Sequence, residues 1–142
     1  MADKKHPKHL ARCAAVQALY QWQHNPVSPM DLKEDCLLGA DPATDADYAG
    51  LLIAGAIDNV EAIDALIDKR GSRPIKQLDS MDLAILRVAV YELKEQISVP
   101  YRVAVNEAIE IAKVFASPDS YKYVNAILNA MLDELRPVER SK

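Results

Sequence analysis

The sequence predicts an all-α protein of about six or seven helices, built as one compact domain or as two small helical subdomains sharing a core. Apolar residues recur at spacings of three and four through most of the chain, and no stretch alternates with a period of two. The third observation is the stretch from Asp79 to Ile97, DSMDLAILRVAVYELKEQI. Its Met81, Leu83, Ala84, Ile85, Leu86, Val88, Ala89, Val90, Tyr91 and Leu93 spread around the whole helical wheel. A helix that is apolar all round is a buried one, so this stretch is the expected central core helix. Asp79 suits its N-cap, and Asp82 falls in the first turn, where the dipole favours an exposed acid. Arg87 is the odd residue. Either it pairs with a carboxylate from another element, or it snorkels to water beside Lys94, the plainer of the two readings.

The other elements follow in order. The start, MADKKHPKHLAR, is a short basic tail running into a helix with Pro7 in its first turn. Leu10, Ala14, Val16, Ala18, Leu19, Tyr20 and Trp22 carry that helix to about His24. Pro26 and Pro29 mark a turn, and a shorter helix from Met30 to about Leu38 ends in a break between Gly39 and Pro42. From Thr44 to Arg70 runs the longest uninterrupted helical pattern, with Leu51, Leu52, Ala54, Ile57, Val60, Ile63, Ala65, Leu66 and Ile67 as its apolar positions and Gly71 as its stop. Gly50 and Gly55 lower helix propensity and so mark close helix packing. Residues 72 to 78 form a connection containing Pro74.

After the central helix, Ser98 to Pro100 break the chain, and a helix resumes near Arg102 and runs to Ala116. Val105, Ala108, Ile109, Ala112 and Phe115 form its apolar stripe, with Asn106, Glu110 and Lys113 on another face. Ser117, Pro118 and Asp119 then offer an N-cap, a first-turn proline and a first-turn acid. The last helix buries Val124, Ile127, Leu128, Met131 and Leu135, and Pro137 closes it.

Half of the 142 residues are apolar, enough for a sizeable core. Cys13 and Cys36 form no CxxC pair, and the chain has no secretory h-region or long apolar run, which points to a reduced cytoplasmic setting without membrane insertion. His6, His9 and His24 do not stand at zinc spacing, and no GxSxG, Walker loop or GxGxxG occurs, so neither catalysis nor a cofactor or metal is expected. The acids between Asp31 and Asp47 lack EF-hand spacing and read as a solvated face. The net charge of −4 does not announce a nucleic-acid binder, but Lys4, Lys5, Lys8 and Arg12 against Asp3 give the first twelve residues +3. Any polyanion site is therefore local.

Two segments have binding chemistry. Lys8 and Arg12 are four apart on one helical face with His9 beside them, and cations at a helix N-terminus oppose the macrodipole unless an external anion meets them. An ordinary solvated tail is the alternative. In SPDSYKYVNA, residues 117 to 126, Lys122 lies between Tyr121 and Tyr123 at a helix start. Phosphates favour cations and free N–H groups, and unpaired bases favour aromatic faces, a combination suited to single-stranded RNA. Tyrosines at a core edge are the alternative here.

ARCAAVQALYQW, LDSMDLAILRVAVYEL, VPYRVAVNEAIEIAK and DSYKYVNAIL, in this order over nearly the whole chain, resemble the NusB transcription antitermination family. The resemblance implies two packed helical bundles, about 1–71 and, with the connection, 72–142, the central helix opening the second. It implies no enzymatic activity, but binding to the boxA element of ribosomal RNA leader transcripts. It also implies association with NusE, a small-subunit ribosomal protein, in an RNA polymerase complex with other Nus factors. By motif position the RNA contacts would be Lys8, His9, Arg12, Lys122 and Tyr123, and the NusE contacts Tyr20 and Asp82.

Departures from the family pattern are informative. The amino-terminal segment has lysine, histidine and Pro7 where the family is often richer in arginine, which weakens bidentate phosphate recognition. Tyr123 stands where phenylalanine is common, and Ala126 replaces a usual glycine. With so little positive charge, the isolated protein is expected to bind RNA weakly and to gain affinity from a basic partner. The competing readings are a helical adapter or homodimer without RNA binding, and the RNA-binding module of ribosomal RNA cytosine methyltransferases. For the latter, a chain ending at Lys142 leaves no room for a cofactor-binding domain.

Overall fold

The computed structural model describes residues 6–141, so Lys4 and Lys5 of the basic tail lie outside the described residues. Helix α1, Pro7–His24, begins where the His6 ring accepts the Lys8 N–H at 3.2 Å, with Pro7 in the first turn. Helix α2, Pro29–Leu37, is capped by Ser28, whose hydroxyl accepts the Asp31 N–H. The break after it turns at Gly39, whose φ of 75° favours glycine.

The expected single helix from Thr44 to Arg70 is two helices, α3 (Ala46–Asp58) and α4 (Val60–Arg70). Asn59 divides them: its side-chain amide donates to the Gly55 carbonyl at 2.8 Å, and its backbone leaves helical geometry at ψ 17°. A short polar side chain that competes for backbone partners ends a helix that apolar periodicity alone would continue.

A 3₁₀ turn, Ile75–Gln77, leads to α5, Ser80–Glu95, where Asp79 accepts the Met81 N–H as expected of an N-cap. Helix α6 is Tyr101–Phe115, α7 is Ser120–Leu135 and α8 is Pro137–Arg140. Residues 117–119 form a turn in place of the first turn of α7, and the Ser120 N–H bonds the Ser117 carbonyl. Pro137 opens a further short helix as well as ending α7. Leu135 is only half-buried, and Phe115, at the last residue of α6, is exposed instead of core.

Every face of α5 is covered, since α1, α3, α4, α6 and α7 all pack on it. Residues 84–93 are buried without exception. One apolar cluster runs from Ala15 and Leu19 of α1 through Leu86 and Leu93 of α5 to Leu128 and Leu132 of α7. Gly55 lets α3 approach this helix: a Cβ there would stand 2.1 Å from the Tyr91 ring. Among the described residues no helix is long and apolar enough to cross a membrane.

Arg12, Arg87, Glu92, Glu107 and Arg136 are buried with this core, each with partners from distant segments. Arg12 of α1, 4% exposed, donates from Nε to both Glu92 oxygens at 3.0 and 2.9 Å and from Nη1 to Glu107 at 2.7 Å. The Tyr48 hydroxyl donates to the same Glu92, and His9 Nδ1 lies 2.9 Å from the other Glu107 oxygen. Arg87 does not snorkel: its guanidinium forks onto Asp64 of α4 at 3.0 and 2.8 Å and reaches Gln23 of α1 at 3.0 Å. Arg136, 2% exposed, donates to the carbonyls of Leu93, Gln96 and Val99. It thereby caps the last turn of α5, whose carbonyls otherwise lack partners.

Two stability measurements test this core. Leu86→Ala should lower the unfolding free energy by roughly 2–5 kcal/mol through lost burial and a cavity. A urea titration showing a loss under about half a kcal/mol would place Leu86 outside the core. Arg12→Ala should cost roughly 3–5 kcal/mol, because two buried carboxylates lose their counter-charge, whereas an exposed ion pair is worth about 0–1. A loss in the lower range would mean that the guanidinium is solvated.

Candidate nucleic-acid and partner interface

The start of α1 presents one of its three candidate RNA contacts to solvent. Lys8 is exposed, its ammonium 5.1 Å from the centroid of the Tyr48 ring, and the Arg12 guanidinium lies 5.7 Å from that centroid. Tyr48 is held as a platform because its hydroxyl is tied to Glu92. Burial, then that hydrogen bond, pushes its phenol well above the usual range.

Arg12 is thus not placed as a phosphate contact. Burial opposes its charge, yet the bonds and charges of Glu92 and Glu107 hold its pKa above the ordinary arginine value. His9 also turns inward, with Nδ1 at Glu107 and Nε2 3.6 Å from the Cys13 sulfur. Burial and the Glu107 charge push the Cys13 thiol up to about 11, so it stays protonated. The helical spacing of Lys8 and Arg12 was read as a shared outer face, but carboxylates 80 and 95 residues further on take the arginine.

The second segment divides in two. Lys122 is exposed, and its ion pair with Asp119 at 3.6 Å is solvated and weak. Its partner ring is Tyr121, approached by the Lys122 ammonium at 5.9 Å and by Lys113 of α6 at 5.0 Å. Lys113 was assigned only to a polar helix face; the short turn between α6 and α7 brings it here. Tyr123 points elsewhere, as a residue one step along a helix must. Its ring lies 4.3 Å from the Arg73 guanidinium, and its hydroxyl is buried without a partner. A Cβ on Gly71 would come within 3.3 Å of that hydroxyl, so Tyr123 is packed on the link between α4 and α5. Arg73 occupies one face of the ring that stacking on a base would use, and nothing local in the sequence pairs these two residues.

These regions are joined by α6. Glu107 in its middle anchors His9 and Arg12, and Lys113 stands about 9 Å further along the axis.

Of the two partner contacts, Tyr20 is exposed, its ring edge-on to His24 at 4.8 Å. It lines an open groove with Asp79, Ser80, Met81, Phe115, Ala116 and Ser117, which explains why Phe115 leaves the core. Asp82 is not on that surface as expected. It is 5% exposed, and its Oδ1 has no hydrogen-bond partner. Burial pushes its carboxyl up, although the Ser120 side chain and the Arg73 charge favour the ionised form. The first-turn position was read correctly; the start of α7 covers it.

Comparison with known proteins agrees with the fold and the motifs. The NusB family model matches residues 9–133. The transcription antitermination protein NusB of Colwellia psychrerythraea is 43% identical over 141 residues, covering 96% of this chain and 99% of that protein. The protein of the same name from Pasteurella multocida is 41% identical over 144 residues, with 97% of each covered. Among solved structures, T. maritima NusB superposes with a TM-score of 0.83 at 30% identity, covering 96% of this chain and 98% of that one. A chain from a crystal structure of NusB and NusE in complex with dsRNA gives 0.80 at 25% identity, covering 89% and 96%. Likeness of this extent in sequence and fold means that the chain belongs to the NusB family.

Proposed function

We propose that this chain is an RNA-binding transcription antitermination factor that takes boxA-type single-stranded RNA of ribosomal RNA leaders together with NusE. It would work in the cytoplasm, within an RNA polymerase complex containing other Nus factors. The observation that carries the reading is the pair of cation and tyrosine clusters, Lys8 on Tyr48 and Lys113 with Lys122 on Tyr121. Cations that track a backbone beside aromatic faces suit a single strand. Relatives bear the name of antitermination proteins, and one solved neighbour is from a complex of NusB and NusE with dsRNA. The chain acts by binding and carries no chemistry of its own.

In this reading Lys8 and Lys122 meet phosphates and Tyr123 offers the outer face of its ring to a base. His9 and Arg12 act indirectly, by fixing the turn that bears Lys8. NusE would seat in the groove at Tyr20, Asp79 and Phe115, its positive charge complementing a chain of net charge −4 and extending the RNA surface. A second copy of this chain is the other occupant to test for.

Lys8→Ala and Lys122→Ala should each flatten the plot of log affinity against log salt by about 0.7 for a single strand. Titrations with boxA RNA, a scrambled strand and a duplex would measure this. Unchanged slopes would remove both residues from the site. Tyr20→Ala should weaken NusE binding by about tenfold or more, as loss of an interface tyrosine does, with helical content and RNA binding alone unaltered. Unaltered NusE affinity would move the partner elsewhere, and a mass twice that of one chain without NusE would assign the groove to a homodimer.

A further inference from the structure

We infer that the start of α6 and the short α8 carry a second RNA phosphodiester site, formed by Arg102 and Arg140 around Tyr101. It would hold the strand at the end of α6 opposite Lys113, and it rests on the RNA-binding reading above. The Tyr101 hydroxyl oxygen accepts Nε of Arg102 at 3.2 Å and Nη1 of Arg140 at 3.3 Å. The two guanidinium carbons lie 5.7 and 5.5 Å from the ring centroid. Two like charges therefore converge on one neutral acceptor.

Little in the fold relieves that convergence. Arg102 has no carboxylate within ion-pair distance among the described residues, and Arg140 has only Asp133, 3.4 Å away and 88% exposed. Glu139 nearby is engaged by buried Arg136 at 2.5 Å and by the Tyr101 N–H at 2.9 Å. Each guanidinium has five N–H donors, so several remain directed at solvent in the planar arrangement that matches a phosphate. The two arginines also draw the Tyr101 phenol below its ordinary range, the response of an oxygen in a positive field.

Position selects an RNA strand as the anion. Arg102, Asn106, Glu110 and Lys113 recur at helical spacing on the outer face of α6, and all but Glu110 are exposed. Glu110 is half-buried and lies 4.0 Å from Lys113. From Arg102 to Lys113 is about 16 Å along the axis. At each end of that stripe a tyrosine is flanked by two cations, Tyr101 by arginines and Tyr121 by lysines. A repeating polyanion with planar bases fits both ends at once.

The test titrates the full chain with two RNAs, the boxA element alone and the same element extended on both sides. For Arg102→Gln/Arg140→Gln the extended RNA should bind roughly tenfold more weakly near 0.1 M salt, with a slope reduced by about 1.4, two phosphates at 0.7 each. The short RNA should bind as before, whereas Lys122→Ala should weaken both. If the double variant binds the extended RNA like the unaltered chain while Lys122→Ala does not, the second site is overturned and the first stands. If the unaltered chain binds neither RNA, the RNA reading itself falls. Should the double variant lose helical signal, Arg102→Gln alone makes the same test with half the change in slope, since its one hydrogen bond among the described residues is to Tyr101.

Discussion

The enclosure of α5 is the constraint on which the rest of the structure depends. A helix that is apolar on every side leaves no face to water, so five other helices must close around it. Enclosure then creates a second demand. The polar groups α5 carries inward, Arg87 and Glu92, cannot stay solvated, and its last carbonyls cannot stay unpartnered. Asp64 and Gln23 answer for the first, Arg12 and Tyr48 for the second, and Arg136 for the carbonyls. These answers come from α1, α3, α4 and the junction of α7 and α8, and they pin those elements in register against α5.

Buried ion pairs are poor sources of net stability, because desolvation of the charges opposes their attraction. Their consequence here is positional. Arg12 faces two carboxylates, the Tyr48 hydroxyl adds a bond to Glu92 and the His9 ring meets the remaining Glu107 oxygen, so α1, α3, α5 and α6 are tied at one point. The exposed Lys8 rides on the same Tyr48. A residue type suited to phosphate, Arg12, thus serves as an anchor, and the charge offered to solvent is the neighbour one turn earlier. The arrangement separates the group that orders the surface from the group exposed to solvent.

The same helix geometry gives a chain with net charge −4 local clusters of exposed cations. Attraction depends on local potential, and neighbouring cations such as Lys113 and Lys122 about the Tyr121 ring act together within a Debye length. Helix α6 carries Lys113 on its outer face while its inner face carries Glu107 into the core. The groove at Tyr20 lies at the other end of α5, where the turn between α6 and α7 folds back beside Asp79. The cluster at Tyr121 borders the same turn between α6 and α7, whereas Lys8 and Tyr48 lie near the Glu92 end of α5, and the core between them is continuous.

The helical class, most helix positions and the identity of the central helix were legible in the sequence because these are local properties. Periodicity marks the apolar face, Pro7 and Asp79 start their helices, and the all-round apolar pattern of residues 79–97 can only be an enclosed helix. The motifs that carry the family resemblance, and Lys8, Tyr20 and Lys122 as exposed candidates, belong to the same level. The Asn59 break was missed because one side chain outcompeted the periodic pattern around it. Partner choice was decided only by tertiary structure: Arg12 with Glu92 and Glu107, Arg87 with Asp64, Tyr123 with Arg73, and Asp82 under α7. A charged residue looks the same in sequence whether water or a distant carboxylate satisfies it, and which of these holds depends on groups that only packing brings within 3 Å.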